Sequence, residues 1–259
     1  MKSRLFVLAA ALAGLVCAQD GIRIPLSDPG RPARVIVHTL NGSIRVTVGA
    51  PGVVVIETKD MARHRDHDRS DGLHRIPMER GLNAEESENT VTINGGPPDA
   101  DGDIMISAPP NTSLKATSIS GEVKVDGLNG DLEANANNGK IVLTNISGSV
   151  VASSLNGGVH ADVVRVEPNK PMSFSSLNGE IDVTLPADTR ARLKMKTDNG
   201  ELYTDFDVLL EHSGAPIVEE HGGKHRIKQD RTTYGTINGG GPEMSFTSLN
   251  GNIYIRKRK

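Results

Sequence analysis

Tryptophan is absent from this chain of 259 residues, and only three tyrosines and four phenylalanines occur. That scarcity removes the best stacking platforms for sugars and bases, and the bulkiest fillers of a thick globular core. The single cysteine is Cys17. Downstream of it no disulfide, thiolate metal site or cysteine nucleophile can be built, so stability has to come from packing. Strong charge of either sign is missing too: 29 Lys+Arg against 32 Asp+Glu leave a net −3, which argues against a nucleic-acid partner. Helical periodicity does not appear after the first stretch. What is abundant is glycine, 28 residues, beside apolar residues that are mostly Val, Ile, Leu and Ala. This composition suits a thin stack of short strands.

One long apolar run exists, Leu5 to Val16, preceded by Lys2 and Arg4 and followed by the small-residue stretch Val16-Cys17-Ala18. It reads as a secretory signal peptide over residues 1–18. A membrane anchor is the competing reading, but the run is short of the ~20 apolar residues a span needs. Acylation at Cys17 is the other alternative, and bulky Val16 before it counts against that. No second hydrophobic span or lipidation motif follows. The mature chain is therefore expected to be exported, without a transmembrane segment, to the periplasm, the cell surface or the exterior. About 240 residues remain, enough for one large domain or two small ones.

A nine-residue phrase recurs: HTLNGSIRV from His38, TSISGEVKV from Thr117, SSLNGGVHA from Ser153, SSLNGEIDV from Ser175 and TSLNGNIYI from Thr247. Its glycines are Gly42, Gly121, Gly130, Gly139, Gly148, Gly157, Gly179, Gly200 and Gly251, with the five from Gly121 to Gly157 spaced by nine. The second residue after each glycine is aliphatic (Ile44, Val123, Ile141, Val159 and Ile181 among them), and the fourth usually is. Positions two and four then share one face of a short strand, while positions one and three meet solvent. Asn-Gly and Ser-Gly read as corners, because glycine takes positive φ freely and asparagine tolerates it; positive φ is expected at Gly139. Asn-Gly is also the strongest short hairpin signal. Against hairpins stands the uniform direction of the phrase, with an aliphatic residue (Leu40, Ile119, Leu128, Ile146, Leu155, Leu177, Leu249) two places before the glycine.

A unit of nine residues cannot bury its apolar face alone, whereas coils of two strands can stack like upon like. The fold class expected is all-β: a β-solenoid, single-stranded and parallel β-helix-like, of short strands with Asn-Gly and Ser-Gly corners. Coils of about 18–22 residues place Gly121, Gly139, Gly157, Gly179 and Gly200 on one wall. Two longer stretches, DIMISAPPNTSLKATSISGEV from Asp103 and EIDVTLPADTRARLKMKTDNGEL from Glu180, repeat one plan, as do TINGGP at Thr92 and TINGGGP at Thr236. A single domain over 19–259 is expected, with irregular excursions near 59–88 and 209–229, each with at most one short extra strand.

LPADTRARLKMKTDNGELYTDF and the ending GGGPEMSFTSLNGNIYI resemble the proline-turn and final-rung patterns of the bacterial putative-adhesin family of β-strand-repeat envelope proteins, a domain of unknown function. The likeness covers about Ile22 to Ile255. It implies a secreted or envelope β-solenoid and carries no catalytic residue with it.

The residues that could carry chemistry are few. RHRDHDRSDGLH holds His64, His67 and His74 among Asp66, Asp68 and Asp71, a donor set competent for zinc. Arg63, Arg65 and Arg69 repel a cation there, so a solvated charged loop is the reading preferred. DADGD at Asp99–Asp103 lacks the glycine position and the later glutamate of a calcium loop, and reads as an acidic turn. Glu122, Asp131, Glu180 and Glu201 stand on corners as a soluble outer face. The serines of the SSLNG phrases are expected to satisfy corner backbone groups, with Asn41, Asn156, Asn178 and Asn250 laddered. The basic ending Arg256–Lys259 is expected to blunt an exposed end of the stack.

No catalytic residue, cofactor or metal is assigned. The function expected is a non-enzymatic, adhesin-like β-solenoid whose repetitive surface binds a protein or a cell-envelope polymer. The alternatives are a carbohydrate-active enzyme on a β-helix and an accessory protein of envelope-stress sensing. Export is checked by intact mass: the secreted protein should begin at Gln19, and a different start, or lipid on Cys17, contradicts the cleavage.

Overall fold

Alternation of buried aliphatic and outward polar residues, strand after strand, builds two large sheets facing each other. The computed structural model describes residues 21–59, 82–95, 102–211, 217–221, 224–228 and 232–259. The strands are β1 (Ile22–Pro25), β2 (Ala33–Asn41), β3 (Ile44–Val48), β4 (Val53–Lys59), β5 (Asn83–Ser87), β6 (Thr90–Asn94), β7 (Asp103–Ala108) and β8 (Thr112–Ser120). Then come β9 (Val123–Asp126), β10 (Leu132–Asn138), β11 (Ile141–Gly148), β12 (Val150–Asn156), β13 (Val159–Val166), β14 (Met172–Asn178), β15 (Ile181–Leu185) and β16 (Ala191–Asn199). The last are β17 (Leu202–Thr204), β18 (Val208–Glu211), β19 (Ile217–His221), β20 (Lys224–Lys228), β21 (Thr233–Ile237), β22 (Glu243–Asn250) and β23 (Ile253–Lys257). The architecture is all-β and β-solenoid-like.

Each coil gives one strand to the ten-stranded sheet, ordered β1-β4-β7-β3-β9-β11-β13-β15-β23-β17. Its other strand joins the eleven-stranded sheet, ordered β18-β21-β16-β22-β14-β12-β10-β8-β2-β6-β5. We call these sheets A and B. Between β10 and β11, for instance, only Gly139 and Lys140 intervene, and every B-to-A passage from β2–β3 to β22–β23 begins with a glycine in the same way. Coil-to-coil pairing is parallel throughout this region, and like residues lie in register: Ala116, Ala134, Ala152, Phe174 and Phe246 form one interior row. Phe174 and Phe246 stack with centroids 5.3 Å apart. The interior is otherwise mostly Val, Ile, Leu and Ala, with Met172, Met195, Met244 and Phe206 at the end of the stack near β16. The close packing of that thin core is what the composition foreshadowed.

The stacking order departs from the chain order at both ends. The coil β6/β7 stacks outside β2/β3, and the chain then returns to lay β8/β9 on the other face of β2/β3. At the opposite end β16/β17 leaves a gap beyond β14/β15, which the final coil β22/β23 fills. The repeated plans at Asp103 and Glu180 correspond to β7-β8-β9 and β15-β16-β17. Antiparallel strands finish the ends: β4, β1 and β5 at one, β21 and β18 at the other. Among the described residues the excursion near 59–88 holds the one short strand β5, as expected, while that near 209–229 holds more strand than expected, with β18, β19 and β20. The antiparallel pairings Val208–Ile237, Glu211–Tyr234, Ile217–Lys228 and His221–Lys224 share one register.

The glycine wall exists, with Gly42 and Gly251 added to it, but its cause differs from the one expected. Gly139 does not have positive φ; Gly42, Gly121, Gly148 and Gly251 do. What Gly139 lacks is room, because a Cβ there would collide with the carbonyl oxygen of Gly121 in the neighbouring coil. The same collision recurs at Gly157 with Gly139, Gly251 with Gly179, and Gly200 with Gly251. Gly130 and Gly148 belong to the opposite side, where Gly148 meets Gly130.

Inside that wall runs a column of inward hydroxyls, those of Ser118, Ser154, Ser176 and Ser248 buried and that of Thr197 half-buried. Ser118 donates to the Gly42 carbonyl (3.2 Å), Ser154 to Gly139 (2.9 Å), Ser176 to Gly157 (2.9 Å), Ser248 to Gly179 (3.2 Å) and Thr197 to Gly251 (2.9 Å). Each gives a partner to a part-buried carbonyl of the wall. Gly139→Ala should lower the thermal midpoint by several degrees, overpacking of this kind costing about 1–3 kcal/mol, whereas Lys140→Thr should leave it nearly unchanged. Equal midpoints for the two variants would contradict the crowded wall.

Candidate binding face

The hydroxyl column fixes which way its neighbours point. Because Ser154, Ser176 and Ser248 turn inward, the leucine one place on is forced to the outer face of sheet B. Leu155, Leu177 and Leu249 are accordingly 44%, 38% and 37% exposed, and beyond Asn137 on β10 the row resumes with Ile119 and Leu40. By contrast Leu128 and Ile146, two places before the glycines of the opposite side, are buried. The sequence motif thus has two meanings, and only the inward hydroxyl distinguishes them.

On β12, β14 and β22 the outward side chains form a grid in register: Val151, Ser173 and Ser245; Ser153, Ser175 and Thr247; Leu155, Leu177 and Leu249. None is charged. Ser175 Oγ donates to Ser153 Oγ at 3.0 Å. Along the glycine side an asparagine ladder borders the grid, with Asn156 donating to Asn138, Asn178 to Asn156, Asn250 to Asn178 and Asn199 to Asn250, at 2.7–2.9 Å. In the same register, Ser120 occupies the place between Asn41 and Asn138. A shallow groove of about 410 Å³ crosses the grid from Asn135 and Asn137 on β10 to Lys196 and Asp198 on β16. Its walls are the leucine row and the Asn-Ser-Ser-Thr row. Charge returns on the flank, where Lys115 and Glu133 pair at 3.0 Å and the Lys115 ammonium holds the Glu133 carboxyl below its ordinary range.

The outer side of sheet A is charged instead. Glu122 pairs with Lys140 (3.6 Å), Glu180 with His160 (3.6 Å) and Asp182 with Arg256 (2.8 Å), while Asp131 on the opposite side binds Lys170 (2.6 Å). Tyr203 donates to Glu201, which raises the tyrosine pKa, and stacks on Tyr254 at 5.1 Å. Glu122, Glu180 and Glu201 lie on one edge but are kept apart. Lys140 and Gly158 occupy the coils between the first two, and Asn252 lies between the last two, so Glu180 and Glu201 are two strand spacings or about 10 Å apart. No two of the four converge.

The basic ending does not blunt an end of the stack. β23 lies between β15 and β17, and its tail is knitted into neighbours through Arg256–Asp182, Lys257–Asp207 (3.8 Å) and Arg258–Asp162 (3.4 Å). His64, His67 and His74 fall outside the described residues, as does most of Asp99–Asp103; Asp103 itself accepts the Ser43 N–H at 2.9 Å. Among the described residues no group of three His, Cys, Asp or Glu side chains is placed to hold a metal, and no helix is long and apolar enough to cross a membrane.

Three comparisons with known proteins bear on this geometry. A search of curated proteins gives no match. Among solved structures the fold is similar to that of a putative cell adhesion protein from Clostridium sporogenes, at 13% identity and a TM-score of 0.51, over 92% of this chain and 98% of that one. Such a likeness shows the shared fold. The family model described as Toastrack DUF4097 matches residues 87–256, which is most of the stack from β6 to β23. The chain belongs to the Toastrack DUF4097 family.

Proposed function

We propose that the mature chain, residues 19–259, is one exported β-solenoid domain with Asn-Gly and Ser-Gly corners that binds without catalysing. It works in an adhesin-like way at the cell envelope, surface or exterior. Its ligand is a protein or a cell-envelope polymer, and the binding surface is the outer face of sheet B. The observation that carries this reading is the neutral grid on β12, β14 and β22. In a chain where 24% of residues are charged, nine adjoining outward positions without a charge mark a surface built to be covered. The description of the Clostridium sporogenes protein as one of cell adhesion agrees in kind.

The acids support the non-enzymatic half. Hydrolysis and elimination on a β-helix need two carboxylates, or an acid and a base, acting on one bond. Here each corner acid is committed to a local partner, and the grid on β12, β14 and β22 offers hydroxyls and methyl groups only.

Co-sedimentation with purified peptidoglycan and with neutral and acidic polysaccharides tests this. Leu177→Asp, a charge in the middle of the grid, should weaken binding at least tenfold, while Glu122→Ala on the other side should change it less than threefold. Release of reducing ends or unsaturated sugars that Glu180→Gln abolishes would replace this reading with the enzyme.

A further inference from the structure

The sheet B groove is directional. It runs along the stack axis, crossing β10, β12, β14, β22 and β16, so its length is about 20 Å at the ~4.8 Å spacing of strands. On the three central strands a ligand lying in it meets a hydroxyl on one wall (Ser153, Ser175, Thr247) and an aliphatic group on the other (Leu155, Leu177, Leu249), with Asn135 and Asn137 at the β10 end and Lys196 and Asp198 at the β16 end. We propose that this groove takes an uncharged, linear, β-1,4-linked pyranose chain laid parallel to the stack axis. The proposal rests on the binding-face reading above and names its ligand.

Two features select that chemistry. The first is charge: the three central strands present none, and both borders carry mixed signs, Lys115 paired with Glu133 on one side and Lys196 beside Asp198 on the other, instead of a basic track for a polyanion. The second is repeat. An extended polypeptide advances about 3.3 Å per residue and drifts out of step with rows ~4.8 Å apart, whereas one pyranose of an extended β-1,4 chain advances by close to one strand spacing. Each sugar then sets its ring C–H groups against a leucine and a hydroxyl against the serine row. Ser153 and Ser175 are already joined to each other at 3.0 Å, and each hydroxyl keeps capacity for a further bond.

A second copy of this chain shares the repeat, but the area is too small. Five strands by about five residues give on the order of 400 Å² per copy, about half of what a stable protein interface buries on each side. Without an aromatic platform each sugar contributes little, so affinity has to accumulate along the chain.

The test is isothermal titration of the full mature chain with β-1,4-linked glucose and N-acetylglucosamine oligomers of two to six sugars, with sedimentation velocity alongside. Affinity should rise at least tenfold from the dimer to the hexamer, be insensitive to added salt, and fall at least tenfold in Leu177→Asp and in Ser175→Glu. Both variants should keep the wild-type melting midpoint within a few degrees, and Lys124→Ala on sheet A should bind normally. No binding of either hexamer, or binding unchanged by both face variants, overturns the proposal. Binding only of acidic polymers or of a second copy, abolished by Leu177→Asp, also overturns it while leaving the face reading in place.

Discussion

The rest of the structure depends on how closely one coil lies against the next along the glycine wall. Strands in a sheet are about 4.8 Å apart, and where the chain turns from sheet B to sheet A the backbone of one coil sits directly on the carbonyl of its neighbour. Gly121, Gly139, Gly157, Gly179, Gly251 and Gly200 each have a carbonyl where a side chain would begin. That contact sets the register of everything else. With the glycines superposed, inward aliphatics fall on inward aliphatics and the buried serines reach the carbonyls below them.

The same superposition makes the two outer faces different in character. On sheet A the outward positions vary from coil to coil, so acids and bases meet as isolated cross-coil pairs. On sheet B the serine that turns inward to serve the wall forces a leucine outward, and three coils repeat the choice with no charge. The proposed binding face is thus a by-product of the corner chemistry: a hydroxyl needed inside dictates an aliphatic row outside. A surface so regular has one repeat length, and the proposed ligand is one that keeps step with it.

Much of the fold was legible because the repeat is short and its physics local. The alternation after each glycine shows which residues face in, and the serine and asparagine roles follow from their hydrogen-bonding groups. Three things were not legible. The order of coils depends on where β22/β23 inserts, a contact between residues such as Gly179 and Gly251 that no local pattern encodes. The exposure of Leu155 and Leu177 was hidden because the same aliphatic-x-glycine spacing is buried at Leu128 and Ile146; the preceding serine was the available signal. The reason for glycine at Gly139 was read as dihedral freedom when it is lack of space, a property of the neighbouring coil. Arg256–Lys259 misled in the same way, since a chain end need not be an end of the stack.

The central claim is that the glycines form one column in the order Gly42, Gly121, Gly139, Gly157, Gly179, Gly251, Gly200. Nuclear Overhauser contacts between glycine Hα protons, measured on a selectively glycine-labelled sample, test it most directly. The account predicts contacts from Gly251 to both Gly179 and Gly200, and none between Gly179 and Gly200. A direct Gly179–Gly200 contact with Gly251 remote from both would contradict it.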